Sequence, residues 1–167
     1  MGCDLIMLTG VQATPYWRSM MYSCILVAHD GSTLGRKAFR HGLQLASHLK
    51  ARLVVVVAIE PVLVLFGVRG TNDDKNPAQE EMRAQSEAAQ LMLDDCALMA
   101  SAEGVTCQTE LVAGAYPADA ILQTRAKVEA DLIVMASHGH RGFRQWILGS
   151  QTSEVLARSE TPVLVVR

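Results

Sequence analysis

Two short runs of the sequence are apolar at nearly every position, and they constrain the fold more than any other feature. One is LVVVVAI, Leu53–Ile59, and the other is DLIVMA, Asp131–Ala136. A strand with one face in water alternates apolar and polar residues, whereas a parallel strand covered on both faces does not. Valine and isoleucine, which are β-branched, dominate the first run and favour a strand over a helix. The two runs therefore predict central strands of a parallel sheet.

The rest of the chain alternates strand-like and helical segments. Further strands are predicted at Cys24–Ala28, Val105–Val112 and Val163–Val166. Helices are predicted after Ser32, around an apolar face of Met82, Ala89, Leu93, Cys96 and Ala100, from about Ala118 to Glu129, and over Ser150–Arg158. Five strands alternating with four helices predict the α/β class, with a single open five-stranded parallel sheet and helices on both faces.

Length and composition fit a single domain. The chain has 167 residues, of which 50% are hydrophobic and 19% charged, enough to bury a core without disulfides or metals. Residues 1–21 lack the basic start and long apolar centre of a signal peptide, and we expect a poorly ordered tail there. Residues 22–167 are expected to form the domain, with a mobile surface loop between Glu60 and Pro77.

Charge and cysteine usage indicate a cytoplasmic protein. The net charge of −2 and the pI of about 6.2 argue against a nucleic acid or an anionic membrane as partner. No apolar stretch approaches the roughly 18 to 20 residues of a membrane span. Cys3, Cys24, Cys96 and Cys107 contain no C-x-x-C pair and lie in apolar surroundings, which predicts buried, reduced thiols.

Two loops that follow predicted strands carry the candidate ligand chemistry. They are His29–Ser32 (HDGS) and Ser137–Ser150, and they would be neighbours if the first and fourth strands are adjacent. Ligands of open α/β sheets bind beyond the carboxyl ends of the strands, where the strand order reverses. We therefore expect any small-molecule site at these two loops.

The second loop has the features of a phosphate site. Gly139 and Gly149 would let backbone N–H groups approach an anion without an intervening Cβ. Ser150 then begins a helix, whose free N–H groups and positive dipole end favour phosphate. The hydroxyls of Ser150 and Thr152 would add donors. Arg141 and Arg144 would add positive charge. The same glycines could instead serve only turns, and the serine could be only a helix cap.

Other sites of similar appearance are not supported. The chain has neither G-x4-G-K-[ST] nor G-x-G-x-x-G after a strand, which argues against a P-loop ATPase or a dinucleotide oxidoreductase. HDGS lacks the double glycine of a PP-loop synthetase. His138 and His140 have no third ligand nearby in sequence, so no metal site is expected. His29 has no nucleophile as a sequence neighbour and is interpreted as a turn residue rather than a general base.

The stretch DLIVMASHGHRGFRQWILGSQTSEVLARSETPVLVV closely resembles the universal stress protein family. Nucleotide-binding members of that family carry G-x2-G-x9-G-[ST], and this chain matches it at Gly139, Gly149 and Ser150, with Ala136 at the first glycine. The resemblance extends through ILVAHDGS and GAYPADAILQTRAKVEADLIVM, and so covers about Ser23–Arg167.

The resemblance implies the strand order 3-2-1-4-5 and ATP, with Mg²⁺, in the cleft. It implies that Asp30 lies at the adenosine, that residues near Val57 line the adenine, and that the loop from Gly139 to Ser150 holds ribose and phosphates. The expected site residues are Ala28, His29, Asp30, Val57, Met135, Ala136, Ser137, His138, Gly139, Arg141, Gly142, Gly149, Ser150, Gln151 and Thr152. The methyl group of Ala136 is expected to weaken nucleotide binding rather than abolish it.

Two functions are compatible with these residues. The first is an ATP-binding stress-response sensor or regulator, which is not an enzyme beyond slow ATP hydrolysis at most. The alternative is a dimeric interaction module of the same family that has lost nucleotide binding. A homodimer is expected in either case through the terminal strand, Thr161–Arg167, because its apolar edge would otherwise be exposed.

Overall fold

The computed structural model of the chain describes residues 22–61, 77–138 and 148–167. In these residues five strands form one sheet, with four helices in the connections. The elements are β1 (Cys24–Ala28), α1 (Thr33–Leu49), β2 (Arg52–Ile59), α2 (Pro77–Ala102), β3 (Cys107–Ala113), α3 (Pro117–Val128), β4 (Leu132–Ala136), α4 (Ser150–Arg158) and β5 (Val163–Val166).

The sheet is parallel throughout, and its order is β3-β2-β1-β4-β5. This confirms the predicted fold class and strand order. The largest difference from the expected bounds is at β3, which begins at Cys107 rather than Val105. Gly104 at φ +68° turns the chain after α2, and the Val105 N–H still donates to Ala100 O at 2.9 Å. Val105 therefore belongs to the helix end and not to the strand.

Both faces of the sheet are covered, which explains why the central runs do not alternate. Alternate residues of β2 contribute to opposite cores: Val55 belongs to the cluster under α1 and α2, and Val56 to the cluster under α3 and α4. Phe39, Leu43 and Ala46 bury the inner face of α1, and Ala89, Leu93, Cys96 and Ala100 bury that of α2 as predicted. Met82, expected inside as well, is only half-buried.

The start of β1 is held against the start of β4 by one carboxylate. Asp131 accepts hydrogen bonds from Ser23 N at 2.8 Å, Ser23 Oγ at 2.7 Å and Cys24 N at 3.0 Å. Desolvation acts to raise the pKa of Asp131, but these donors stabilise the charged form more strongly, and the pKa is lowered. Asp131 thus holds β1 and β4 side by side at their amino-terminal ends.

Three of the four cysteines and none of the predicted tail are among the described residues. Cys24 and Cys96 are buried, Cys107 is half-buried, and all three are free thiols. Burial raises the pKa of Cys96 to about 12 and that of Cys107 to about 11. Cys3, the predicted tail (residues 1–21) and residues 62–76 of the predicted loop lie outside the described residues. Among the described helices, none is both long enough and apolar enough to cross a membrane.

Candidate functional site

The two predicted loops do meet, because β1 and β4 are neighbours in the sheet. Val27 of β1 pairs with Val134 of β4. The residues that follow, Ala28 to Asp30 on one strand and Met135 to His138 on the other, therefore leave the same edge of the sheet side by side. Val57 lies one residue beyond Val56, the partner of Ala28 in β2. Three strand ends thus converge where the strand order reverses.

The turn after β1 is shaped by the side chains of His29 and Asp30. The His29 N–H continues the ladder to Val56 O at 2.9 Å, and its Nδ1 accepts from Gly31 N at 3.3 Å. Asp30 Oδ1 accepts from Ser32 N at 3.0 Å. The His29 ring is buried and lies parallel to Phe39 of α1, with ring centroids 6.1 Å apart. These contacts agree with the interpretation of His29 as a turn residue.

Gly35 packs against this turn, a contact that was not expected from the sequence. A Cβ at position 35 would overlap Asp30 Oδ1 and would lie 2.9 Å from His29 Nδ1. The Gly35 N–H also donates to Ser32 Oγ at 2.9 Å, which is the N-cap bond of α1. The signal available in sequence was the spacing HDGS-x-x-G, in which a glycine falls in the first turn of a helix, where it is a poor helix former.

The end of β4 and the start of α4 are joined by backbone contacts. The Gly149 N–H donates to Ser137 O at 2.8 Å. A Cβ on Gly149 would lie 3.3 Å from Ser137 O, which is tighter than usual, and 3.5 Å from His138 Cα, which is an ordinary contact. Gly149 is the N-cap of α4 and supplies no side-chain capping bond. The first turn of α4 is therefore placed directly against the chain that leaves β4.

Thr152 has a different role from the one expected. Its side chain is buried, and its hydroxyl donates to Ala136 O at 2.9 Å. The proton that was expected to reach a phosphate is thus used to fix α4 against β4. Ser150, by contrast, is exposed at the first position of the helix.

Gln151 also has a structural contact that its sequence position did not reveal. Its Oε1 accepts from the Ala118 N–H at 2.9 Å. Ala118 is in the first turn of α3, where the N-cap residue Tyr116 makes no side-chain capping bond and Pro117 has no N–H. Gln151 thus caps α3 from the neighbouring helix.

His138 carries a buried polar atom at this edge of the sheet. Its Nδ1 lies 3.1 Å from Ser137 Oγ. Its Nε2 is buried and has no hydrogen-bond partner among the residues that the structure describes. A buried polar atom without a partner is unfavourable, so a ligand that supplies one would be stabilised there.

The remaining predicted residues fall into two groups. Val57 and Met135 are buried in the cores on opposite faces of the sheet, and Ala28, on the same face as Met135, is half-buried. Gly139, Arg141 and Gly142 lie outside the described residues, as do His140 and Arg144. Within the described ranges, no group of three or more His, Cys, Asp or Glu side chains is arranged to hold a metal ion.

Comparison with known proteins gives one consistent result. A model of the universal stress protein family matches residues 21–167. A universal stress protein of Thermus aquaticus is 34% identical over 148 residues, covering 88% of this chain and 100% of that protein. Two solved universal stress proteins also match. One, from Burkholderia pseudomallei, has a TM-score of 0.68 at 29% identity and covers 87% of this chain and 96% of its own. The other was solved in complex with cAMP, with a TM-score of 0.65, 27% identity, and coverage of 88% and 98%.

Proposed function

Since this chain belongs to the universal stress protein family, we propose that it binds an adenine nucleotide at the carboxyl edge of β1 and β4 and acts as a stress-response sensor or regulator. The ligand proposed for this chain is ATP with Mg²⁺. A related universal stress protein in complex with cAMP supports the choice of an adenine nucleotide.

The observation that carries the proposal is the start of α4. Gly149 brings the first turn of this helix against the end of β4, and as the N-cap residue it has no side chain that could accept from the first N–H groups of the helix. Such groups, together with the positive end of the helix dipole, favour phosphate. The Ser150 hydroxyl is exposed at the same point and would donate to a phosphate oxygen.

The neighbouring residues fit the rest of a nucleotide. Asp30 follows β1 at the same edge and is exposed, so its carboxylate would accept from the hydroxyls of the ribose. Ala28, which is half-buried at the end of β1, would provide an apolar contact for the base. His138 Nε2 would find its missing partner in a polar atom of the ligand. A Mg²⁺ ion would be bound mainly through the phosphates and water, as is usual for this ion.

Ala136 does not fill the cleft. Its side chain is 9% exposed and belongs to the core cluster that includes Val27 and Phe39. Its carbonyl oxygen accepts from Thr152. The methyl group that replaces the first motif glycine is therefore largely packed within the protein, which supports weakened rather than lost binding.

Thermal scans of the full chain with and without Mg-ATP test the proposal. At about 100 times the Kd, a ligand adds about 2.7 kcal/mol of stability. For a domain of this size, this corresponds to a rise in Tm of roughly 5 to 11 °C. Mg-GTP controls for the base and AMP for the length of the phosphate chain. No shift with any of the adenine nucleotides at millimolar concentration would contradict the proposal and favour the interaction module, which Ala136 already permits.

A pair of serine variants tests the position of the phosphates. Ser150 and Ser153 are both exposed serines in the first half of α4. Ser150→Ala should reduce the nucleotide-induced rise in Tm, because it removes a donor at the helix start, whereas Ser153→Ala should leave the rise unchanged. Gly149→Val is a less specific probe, since even its Cβ would press on Ser137 O. If the nucleotide raises the Tm of the two serine variants by the same amount, Ser150 is excluded from the site.

Regulation rather than catalysis is the proposed role, with hydrolysis slow at most. A nucleotide-dependent protein of this kind would act through a partner or through its dimer, which we propose to form through the outer edge of β5. Multiple turnover of ATP at ordinary enzymatic rates, of about 1 per second or faster, would contradict this part of the proposal.

A further inference from the structure

The outer face of α2 carries an apolar ridge that the nucleotide site does not use. Six large hydrophobic side chains are exposed in the described residues, and three of them, Leu91, Leu98 and Met99, are on this helix. Leu91 is 68% exposed and Leu98 69%, so most of the surface of each side chain is in contact with water. Isolated exposed leucines are common, but two in line on one helix face are a feature of helix–helix contacts.

The two leucines form a line along the helix axis. They are seven residues apart, which is two turns or about 10.5 Å, and so they lie on the same face. Ala84 precedes Leu91 by the same interval and is also exposed. We name Ala84, Leu91 and Leu98 the α2 ridge. Ala89, Leu93, Cys96 and Ala100 cover the sheet from the other side of the helix, so the ridge faces outward.

Carboxylates flank the α2 ridge. Asp94 and Asp95 lie between the two leucines in sequence, and Glu87 lies one turn before Leu91; all three are exposed. Over Pro77–Ala102 the helix has five acidic residues and one basic residue, Arg83, which pairs with Glu87 at 2.8 Å. An acidic border around an apolar line selects a partner with a basic border, because like charges brought together would be destabilising.

Within the part of the chain that the structure describes, neither α2 nor α1 of a second copy is a good partner for the α2 ridge. Two α2 helices packed face to face would bring their acidic borders together. The exposed face of α1 has suitable charges, Arg36, Lys37 and Arg40, but no large exposed hydrophobic side chain to cover the leucines. The ridge also lies over β2 and β3, at the end of the sheet opposite β5, and would stay uncovered in a dimer formed through β5.

We propose that the α2 ridge is a docking surface for an amphipathic helix of a partner protein. That helix would have leucine-like residues at heptad spacing and a border of lysine and arginine. The leucines would supply most of the binding free energy by burial, and the carboxylates would set orientation and specificity. The inference does not depend on the nucleotide site.

The test uses a synthetic peptide as the probe. A fluorescently labelled amphipathic helix, with leucines at heptad spacing bordered by lysine and arginine, is titrated with the full chain, and its anisotropy is measured at low and at physiological salt. We expect saturable binding that weakens as salt rises. The same peptide with glutamate in place of its basic residues should not bind. A lack of saturable binding by the basic peptide would overturn the proposal.

Paired variants separate the ridge from general acidic attraction. Leu91→Gln/Leu98→Gln should weaken binding at least about tenfold, and Asp94→Asn/Asp95→Asn should weaken it and flatten its salt dependence. The matched controls are Leu156→Gln, an exposed leucine on α4, and Glu129→Gln/Glu160→Gln, two exposed carboxylates elsewhere. All variants change exposed side chains and should keep the Tm of the wild type. The proposal would be contradicted if the leucine variant bound the peptide as tightly as the wild type. It would also be contradicted if the control variants lost as much affinity for the peptide as the ridge variants.

Sedimentation of the wild type and the leucine variant tests the other occupant. If the leucine substitutions lower the association state of the chain alone, the α2 ridge is an interface between copies and the proposed partner is wrong. An unchanged association state, together with loss of peptide binding, supports a partner helix.

Discussion

At the scale of single residues, Gly35 connects the packing of α1 to the ligand edge of the sheet. Its missing side chain leaves space for Asp30 Oδ1 and His29 Nδ1. Alanine in a helix is usually more favourable than glycine by up to about 1 kcal/mol. At this position the gain in helix stability from alanine is opposed by the overlap of its Cβ with Asp30 Oδ1. The glycine is therefore explained by the packing of the HDGS turn and not by the helix.

Gly35→Ala should therefore move the HDGS turn and reduce the Mg-ATP-induced rise in Tm. Gly42→Ala is the matched control, because it is a glycine of the same helix whose added Cβ would overlap Val27 Cγ2 in the core instead of the site. Both substitutions should lower the ligand-free Tm, since overpacking costs about 1 to 3 kcal/mol. Only Gly35→Ala should lose the nucleotide response in paired thermal scans. A full response in Gly35→Ala would show that the turn tolerates the change.

At the scale of elements, Gln151 links α4 to α3. The two helices lie on the same face of the sheet, and Arg158 of α4 also pairs with Asp119 of α3 at 2.8 Å. This ion pair is exposed and contributes little, whereas the Gln151 bond satisfies a backbone donor at a helix start. The start of α4 is thus attached both to the end of β4 and to the start of α3.

Gln151→Ala should remove the cap of α3 and lower stability by about 1 kcal/mol, the usual effect of losing an N-cap. For a chain of this length the Tm should fall by about 2 to 4 °C. Gln151→Glu retains an oxygen that accepts from the Ala118 N–H and should restore most of the loss. Circular dichroism melts of the three proteins measure the effect. Equal Tm values would mean that the hydrogen bond between Gln151 and Ala118 makes no net contribution to stability.

At the scale of the whole molecule, β5 is the last strand of the sheet, and among the described residues it has a strand neighbour on one side only. Ser137 N donates to Val166 O at 2.8 Å, and Ile133 N donates to Pro162 O at 2.9 Å. The N–H and C=O of one strand residue point to the same side of the strand. The backbone groups of Leu164 therefore also point toward β4, whereas those of Val163 and Val165 point away from β4, to the outer edge of the sheet. This edge is the one proposed to pair with a second copy.

Val165→Pro should abolish that pairing, because it removes an outward N–H and proline is tolerated on an exposed edge. Val165→Thr keeps the N–H and should remain dimeric. Light scattering with size-exclusion chromatography distinguishes the two outcomes. Substitution is a sharper test than deletion of Val163–Arg167, since Val166 O also holds Ser137 at the ligand site. A dimeric Val165→Pro variant with normal stability would exclude the β5 edge as the interface.

Local pattern determined most of the fold. The uninterrupted run at Leu53–Ile59 indicates burial on both faces, and this requires a parallel sheet with helices on each side. The alternation of strands and helices indicates crossover connections, and the positions of Gly149 and Ser150 indicate the start of α4. These signals are visible in sequence because each depends on residues within one or two turns of each other, where spacing alone sets geometry.

Tertiary structure decided how the site is held together. Asp131 bonds to Ser23, 108 residues away, and Gln151 bonds to Ala118, 33 residues away. Thr152 directs its hydroxyl to Ala136 instead of to the cleft. The sequence by itself could identify these side chains as polar, and it placed Thr152 near a ligand loop. Their partners depend on which strands become neighbours and on the angle at which each helix packs, because a hydrogen bond forms only within about 3.5 Å.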